Sequence, residues 1–478
     1  MLPEELVGLA QEIARKKCEL QNIELKKAAS GAATRLYGTL SSFSNQKDGG
    51  IIIFGIDEKD DYKVTGVYDA QDLQKKVTEQ AMQMEPPSRP LFTVAEIEGK
   101  LIVSAEIAEC DIFDKPCFYR GAGRMRGSYI RVGDADLPMT EYEVYSYEAF
   151  KRNIQDELRI VGRADLNALD SVALGEYLFK IRREKPNLSG LADEQILQLQ
   201  GITEKGVPTV AGIMLLGMYP QAFFPQLSIT AVVVPGTEIG QTGDDNERFI
   251  DNKRFEGTIP EMLGGALSFV HRNMRTKTII DDEGRRKDKP EYPLKAVREI
   301  ILNALIHRDY SIHTDSSPIR LIMFNDRLEL ENPGGLYGRI TVDNLGKIAA
   351  DTRNPFIAGA LEIMIDTENR FSGIPTIRHE LKKAGLPPPV FENQRGVFKV
   401  ILFKKQELNF QEVTGSLEAQ IIAFCNEPRT REELARRFNF KAVSYLVSRY
   451  IMPLVAEGKL KMTLPQTPKS KNQRFIKA

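Results

Sequence analysis

The sequence predicts an α+β protein of several domains, on three observations. The chain has 478 residues, and at about 100 to 200 residues per domain that length provides two to four separate cores. Short apolar runs of strand character alternate with amphipathic helical stretches, and Gly- and Asp-bearing turns divide them. The ending differs in charge: Arg429 to Ala478 holds twelve basic and three acidic residues, while the whole chain balances 65 Lys and Arg against 66 Asp and Glu. A composition 42% apolar and 27% charged argues against wholesale disorder, a collagen-like repeat or a membrane protein. No apolar run reaches the ~20 residues of a membrane helix. The acidic, amphipathic opening MLPEELVGLAQEIARKK is unlike a signal peptide. A cytoplasmic location with no membrane partner is therefore expected. The cysteines Cys18, Cys110, Cys117 and Cys425 are scattered, with no CxxC pair and only four histidines in the chain. That argues against a disulfide framework or a structural zinc site.

Four segments follow in order. Residues 1–147 open with a helix from Pro3 to Lys17, then a helix from Ala33 to Ser44, the turn Asp48-Gly49-Gly50 and a buried strand from Ile51 to Ile56. Gly49 and Gly50 supply the positive φ of a tight helix-to-strand turn, with Phe43 packed beneath. Strands at Phe92–Ile97, Leu101–Ile107 and Ser128–Val132 give mainly antiparallel pairing. Residues 148–290 form a helical connector and a strand-bearing layer, Pro208–Gly217 and Leu227–Val234, closed by a charged loop over Asp281–Lys289. Residues 291–404 hold the helix Leu294–Arg308 and strands at Ile319–Phe324, Arg327–Glu331 and Val397–Phe403. Residues 413–478 read as three short helices and a hairpin, a winged helix-turn-helix, with Thr430-Arg-Glu-Glu433 as a capping box.

In the first segment, Glu24-Leu-Lys26, Leu40 to Asn45, Gly49-Gly50, Phe54-Gly55-Ile56-Asp57 and Gly127 to Gly133 together resemble the Schlafen/AlbA-type nucleic-acid-binding domain. Arg120, Arg124, Arg126 and Arg131 cluster with Phe118, Tyr119 and Tyr129 on an expected hairpin. There, guanidinium groups grip phosphates and rings stack on bases, or the hairpin is a solvated charged surface. The resemblance favours nucleic-acid contact. Some Schlafen relatives are metal-dependent nucleases, and Glu19, Glu24 and Asp57 stand in the matching places, an alternative function in which three carboxylates hold a divalent cation. The plainer reading pairs Glu24 with Lys26 or Lys27 and has Asp57 cap a turn.

In the helix Leu294–Arg308, Leu294, Val297, Ile301 and Leu305 make an apolar stripe. Glu299, Asn303 and His307 recur every fourth position on a neighbouring face, as a solvated surface or the wall of a site. Glu299-Ile-Ile-Leu-Asn303-Ala304 resembles the N box of the GHKL (Bergerat-fold) ATPases, and Glu331-Asn332-Pro333-Gly334-Gly335 stands where their first glycine box comes. The order of modules is similar to bacterial proteins labelled RecG-like, which join a Schlafen/AlbA-type start to a GHKL-like α/β sandwich and a winged helix. The resemblance implies ATP with Mg²⁺. Asn303 holds the metal against the phosphates, Glu299 activates water, Glu331 or Asn332 accepts from the adenine amine, and Gly334, Gly335 and Gly373 admit the nucleotide. Pro333 replaces a usual Gly, and Phe371 interrupts the second glycine pair, which weakens the expectation of hydrolysis more than that of binding. No P-loop is present, so no motor ATPase is expected.

In the last segment, Lys441, Ser444 and Arg449 on the third helix, and Lys461, Lys471 and Arg474 at the wing, are the expected DNA contacts. The function expected is an ATP-responsive DNA-binding transcriptional regulator, with RNA as the other nucleic-acid partner weighed. Symmetric homodimers are common among such proteins. A nuclease and a non-catalytic nucleic-acid adaptor are the competing classes.

Overall fold

The computed structural model describes residues 1–18, 21–31, 35–243, 245–280, 286–349, 351–365, 373–394, 396–404, 417–438, 446–464 and 473–478. The chain divides into two compact units, Met1–Lys405 and Gln406–Ala478. No helix among the described residues is long and apolar enough to cross a membrane.

The first helix, Pro3–Lys16, carries Glu4 and Glu5 in its first turn and Arg15 and Lys16 in its last, complementing the helix dipole. It buries Leu6, Ala10 and Ile13. Beside it lies a four-stranded sheet in the order Ile23–Lys26, Gly50–Phe54, Lys100–Ile107, Leu91–Ile97. The first pair is parallel and the other two antiparallel. The strand Ile23–Lys26 was not expected: four residues, two of them charged, are too few to show a period. Gly49 has φ +69°, and a Cβ on Gly50 would fall 2.4 Å from the Phe43 ring, so the aromatic does lie directly under the turn. The helix here runs Tyr37–Asn45, starting later than expected, and residues 32–34 lie outside the described residues.

The expected arginine-bearing hairpin does not form as one piece. Phe118–Tyr119 pairs with Met84–Glu85, Arg124–Gly127 is a single helical turn, and Tyr129–Val132 pairs with Ala135–Pro138.

The remainder of this unit is built on one mixed six-stranded sheet, in the order Asp251–Phe255, Ile229–Val233, Ile319–Met323, Arg327–Pro333, Val397–Phe403, Val390–Gln394. Only the Ile229–Val233 and Ile319–Met323 pair is parallel. One face packs its alternate residues, among them Ala231, Leu321, Leu330 and Val400, into a core shared with the helices Ile259–Asn273, Leu294–His307 and Gly373–Ala384. The opposite face carries ion pairs instead, Arg320 with Glu331 at 3.0 Å and Lys399 with Glu331 at 2.9 Å and Glu329 at 3.1 Å. A two-layer arrangement follows from this asymmetry.

Three expectations are corrected. The core runs unbroken from Val161 to Leu402, so a boundary at residue 290 does not separate two modules. Val210–Leu216 is a fully buried helix, not a strand, with Thr209 accepting the Gly212 N–H at its start; an apolar run of that length does not reveal its own period. Arg286–Pro290 is a strand paired with Thr276–Ile280, where a loop was expected; residues 281–285 lie outside the described residues.

The second unit has the helices Leu417–Phe424 and Arg431–Arg437, then a helical stretch from Val447 to Ala456. A three-stranded antiparallel sheet, in the order Arg429–Thr430, Arg474–Lys477, Leu460–Met462, completes it. Thr430 accepts from the Glu433 N–H at 3.2 Å while the Glu433 carboxylate accepts from the Thr430 N–H at 2.7 Å. Ile421, Leu434, Leu446, Leu454 and Phe475 form the core.

Glu157 pins the helix Pro355–Ile365 to the sheet module. It is fully buried, and its carboxylate accepts the N–H groups of Phe356 and Ile357 at 2.9 and 2.8 Å. Burial outweighs these two bonds and pushes the carboxyl up to about 7. The folded state therefore holds a proton that the unfolded state has released between pH 4.5 and 7, so this group lowers stability as pH rises through that window. Glu157→Gln is expected to remove that part of the slope, worth about 3 kcal/mol; urea denaturation of both proteins at pH 4.5 and 7 measures it, and parallel curves would contradict the assignment.

Candidate functional site

The helix Leu294–His307 is enclosed on most of its circumference, with Ala296, Val297, Ile300, Ile301, Ala304 and Leu305 all buried. A repeat of four leaves Glu299, Asn303 and His307 on one strip. That strip forms one wall of a hollow of about 170 Å³. The strand Arg327–Pro333 forms a second wall through Leu330 and Asn332, and the bend from Gly334 to Tyr337 a third; Gly373, the first residue of the helix Gly373–Ala384, closes the fourth side.

Among the described residues, three polar atoms on lining residues lack a hydrogen bond, Asn303 Nδ2, Asn332 Oδ1 and Arg353 Nη1, the last still ion-paired with Asp309. Asn332 is only 3% exposed. Leaving such a group unpaired costs about 1–3 kcal/mol. Strand alternation decides between the two candidates for adenine contact. Asn332 shares a face with Leu328 and Leu330, whereas Glu331 lies on the opposite face, paired with Arg320 and Lys399, and is corrected out of the site. A Cβ on Gly373 would stand 3.0 Å from Asn303 Nδ2 and 3.2 Å from Glu299 Oε2, so the backbone approaches both side chains closely there. At Gly334, with φ +103°, a Cβ would meet Arg353 Nη1 and Asp309 Cβ, each at 2.6 Å. Gly335 faces Asn393, whose Oδ1 accepts the Leu336 N–H at 2.9 Å. Gly334 is thus needed for packing within the protein.

Glu299 has its carboxyl raised by burial, against the opposing charges of Arg298 and Lys295. His307 is pushed down to about 4 by burial and by the charge of Arg353, so it is neutral at pH 7. Sequence reasoning missed the network behind it. Arg353 lies 3.2 Å from the Asp309 carboxylate and 4.9 Å over the Tyr337 ring, and Asp309 accepts from the Tyr142 hydroxyl and the Ser311 N–H, both at 2.8 Å. Burial raises the Asp309 carboxyl, but Arg353 and these hydrogen bonds hold it below its ordinary range. The available signal was Asp309 directly after the polar strip of the helix; nothing in the sequence marked Arg353.

The carboxylates proposed for a metal are engaged elsewhere. Glu24 pairs with Lys26 and, at 2.7 Å, with Arg131. Asp57 pairs with Lys27 at 2.7 Å and caps a turn by accepting the Lys59 N–H. Glu19 lies outside the described residues. Among the described residues no cluster of three metal-ligating side chains is present.

Arg131 is corrected as a nucleic-acid contact: its side chain is fully buried between Glu24 and Asp136 and donates to the Ile23 carbonyl. Arg124 pairs with Glu148 over the Phe118 ring. Arg120 and Arg126 are exposed, Arg120 donating to the Met82 carbonyl. In the second unit Arg449, Lys461 and Arg474 are exposed, while Lys441, Ser444 and Lys471 lie outside the described residues. Arg131→Met should cost about 3 kcal/mol by stranding two carboxylates, and Arg126→Met less than about 0.5 kcal/mol. Urea unfolding reads both, and equal losses would return Arg131 to the surface.

Three family models match parts of the chain. Residues 19–140 match "Schlafen, AlbA_2". Residues 316–402 match "Putative ATP-dependent DNA helicase recG C-terminal", an HATPase-type domain. Residues 418–476 match "Filamentation induced by cAMP protein Fic-like, C-terminal domain". The chain thus carries a Schlafen/AlbA_2 domain followed by a RecG-like HATPase-type domain, and its ending matches a Fic-like model where a winged helix was expected. No curated protein matches. Among solved structures, the DIP2311 protein of Corynebacterium diphtheriae is 19% identical over 91% of this chain and 89% of its own, with a TM-score of 0.41. The N-terminal domain of a RecG-related protein of Nitrosomonas europaea is 25% identical over 28% of this chain and 92% of its own, at 0.23. TM-scores this low leave the fold to be argued from the chain itself.

Proposed function

We propose that this protein is an ATP-responsive, DNA-binding transcriptional regulator whose nucleotide occupies the hollow between Asn303 and Asn332. The supporting observation is that two residues lining one cavity each carry a buried amide atom without a hydrogen bond among the described residues, since buried polar groups ordinarily find partners. The residues present fit the ligand. Asn332 Oδ1 is an acceptor for the exocyclic amine of adenine. Asn303 offers an amide oxygen to Mg²⁺ and an N–H donor to phosphate, and the helix beginning at Gly373 places its positive end at the same side of the hollow. Mg²⁺, when bound, supplies charge neutralisation to the phosphate oxygens. Glu299 sits beside Gly373 as the group that takes a proton from water, and its burial strengthens it as a base.

The wall of the hollow also touches the N-terminal module. Asp343, between the lining residues Ile340 and Leu345, pairs with Lys47, and Tyr337 meets Phe150 at 5.3 Å, which in turn stacks on Phe113 at 5.1 Å. A nucleotide that binds one arrangement of this wall more tightly than another would shift the module it touches. The exposed Arg120, Arg126, Arg449, Lys461 and Arg474 supply phosphate contacts, and the second unit is read as a winged helix on its helix and strand order.

Binding of a fluorescent ATP analogue tests the site. Mg²⁺-dependent binding is expected in the wild type, weakened about tenfold or more by Asn303→Ala and by Asn332→Leu; no Mg²⁺-dependent signal in the wild type would reject the reading. Duplex DNA affinity should fall steeply between about 50 and 200 mM salt, measured by fluorescence anisotropy, and a flat titration would contradict phosphate contact.

A further inference from the structure

We propose that Arg353 is a base-contacting residue of the hollow, donating to the adenine ring nitrogen beside the amine, and that Tyr142 is the positioning residue that keeps it available. The proposal rests on the nucleotide site described above and adds a determinant of specificity to it. Arg353 is 5% exposed and lines the hollow. Its Nη1 has no hydrogen bond among the described residues, and its Nη2 donates to the Gly335 carbonyl at a long 3.4 Å. Its charge is better served than its donors, with the Asp309 carboxylate at 3.2 Å and the Tyr337 ring centre at 4.9 Å. A guanidinium presents its N–H groups in a rigid fork, so an ion pair on one side leaves donors to place on another.

Asp309 shows why Arg353 is held in this way. Its Oδ1 accepts the Ser311 N–H at 2.8 Å, and its Oδ2, the atom that faces Arg353, accepts from the Tyr142 hydroxyl at 2.8 Å. With that oxygen taken at the shorter distance, Asp309 holds Arg353 as a charge and not as a hydrogen-bond donor. Tyr142 is itself fixed from outside the hollow. It stands in the first turn of the helix Glu141–Lys151, which Thr140 caps, and its ring lies against Gly396, where a Cβ would come within 2.5 Å. The Gly396 carbonyl accepts the Gly334 N–H at 2.8 Å, which ties the ring to the bend that carries the cavity wall.

The position of Arg353 selects the part of the ligand it meets. Glu299 and His307 are about 12 Å apart along the axis of their helix, and Gly373 stands at the Glu299 and Asn303 end. Asp309 follows that helix at its other end, and a Cβ on Gly334 would meet Asp309 and Arg353 Nη1 alike at 2.6 Å. Arg353 therefore belongs with Gly334 and the end of the strand that carries Asn332, away from Gly373. An acceptor on Asn332 and a donor on Arg353 suit an edge that offers an amine beside a ring nitrogen. Adenine has such an edge, whereas guanine offers two acceptors on the corresponding one.

Isothermal titration of the full-length protein with ATP and with its 1-deaza and 7-deaza analogues, all with Mg²⁺, tests the proposal. The wild type is expected to bind ATP about tenfold or more tightly than one of the two analogues. Tyr142→Phe, which removes only a hydroxyl, should weaken ATP by about that factor and bind it and that analogue about equally. Arg353→Met should do the same. General destabilisation would weaken all three ligands together and leave the ratio as it is. The wild-type and Tyr142→Phe ratios decide the matter even if Arg353→Met fails to fold. A wild type that binds ATP and both analogues equally, or a folded Tyr142→Phe protein that keeps the wild-type ratio, would overturn this inference and leave the nucleotide site standing. A wild type that binds no ATP removes the site and the inference together.

Discussion

One buried amide atom on each of Asn303 and Asn332 lacks a hydrogen bond among the described residues, and the candidate site depends on that unmet capacity. Apolar side chains at Asn303 and Asn332 would carry no unmet hydrogen-bonding capacity. The amides instead leave unmet hydrogen-bonding capacity worth about 1–3 kcal/mol each in the wall of a cavity. The surrounding features keep that cavity open. The four-residue repeat brings Glu299 and His307 to the same side, Gly373 lets a helix start against Asn303, and the bend at Gly334 admits Arg353 against Asp309.

The buried charges follow the opposite rule. Arg131 has Glu24 and Asp136, Asp309 has Arg353, and Asp57 has Lys27. A charge out of water is tolerated when it is paired, and such a pair is weak evidence of a ligand site. The same reasoning assigns Arg131 and Glu24 to holding the N-terminal module together and leaves the two amides as the ligand contacts we propose. Tyr142 joins these regions, since it sits in the helix that follows the first sheet and donates to Asp309 behind the hollow.

Much of the site was legible from period alone. Glu299, Asn303 and His307 stand four apart beside an apolar stripe, which places them on one strip of a helix whatever packs around it. The choice between Glu331 and Asn332 was also in the sequence, because Leu328 and Leu330 alternate towards Asn332; the resemblance to a glycine box drew attention to the neighbour as well. Arg131 was misread because a basic residue among aromatics looks the same in sequence whether it faces solvent or a buried carboxylate 107 positions earlier. The boundary at residue 290 was misplaced for a related reason. The charged stretch at 281–289 resembles a linker, yet its end pairs back onto Thr276–Ile280, and strands on both sides of it enter one sheet. Arg353 and Asp309 meet only through tertiary folding, and no local pattern announces that contact.

The most direct test is a crystal structure of the full chain grown with Mg²⁺ and a non-hydrolysable ATP analogue. The account predicts density for the base within about 3 Å of Asn332 Oδ1 and for the triphosphate beside Asn303 and Gly373. A crystal with the analogue bound elsewhere, or with the hollow filled only by water bridging the two amides, would contradict it.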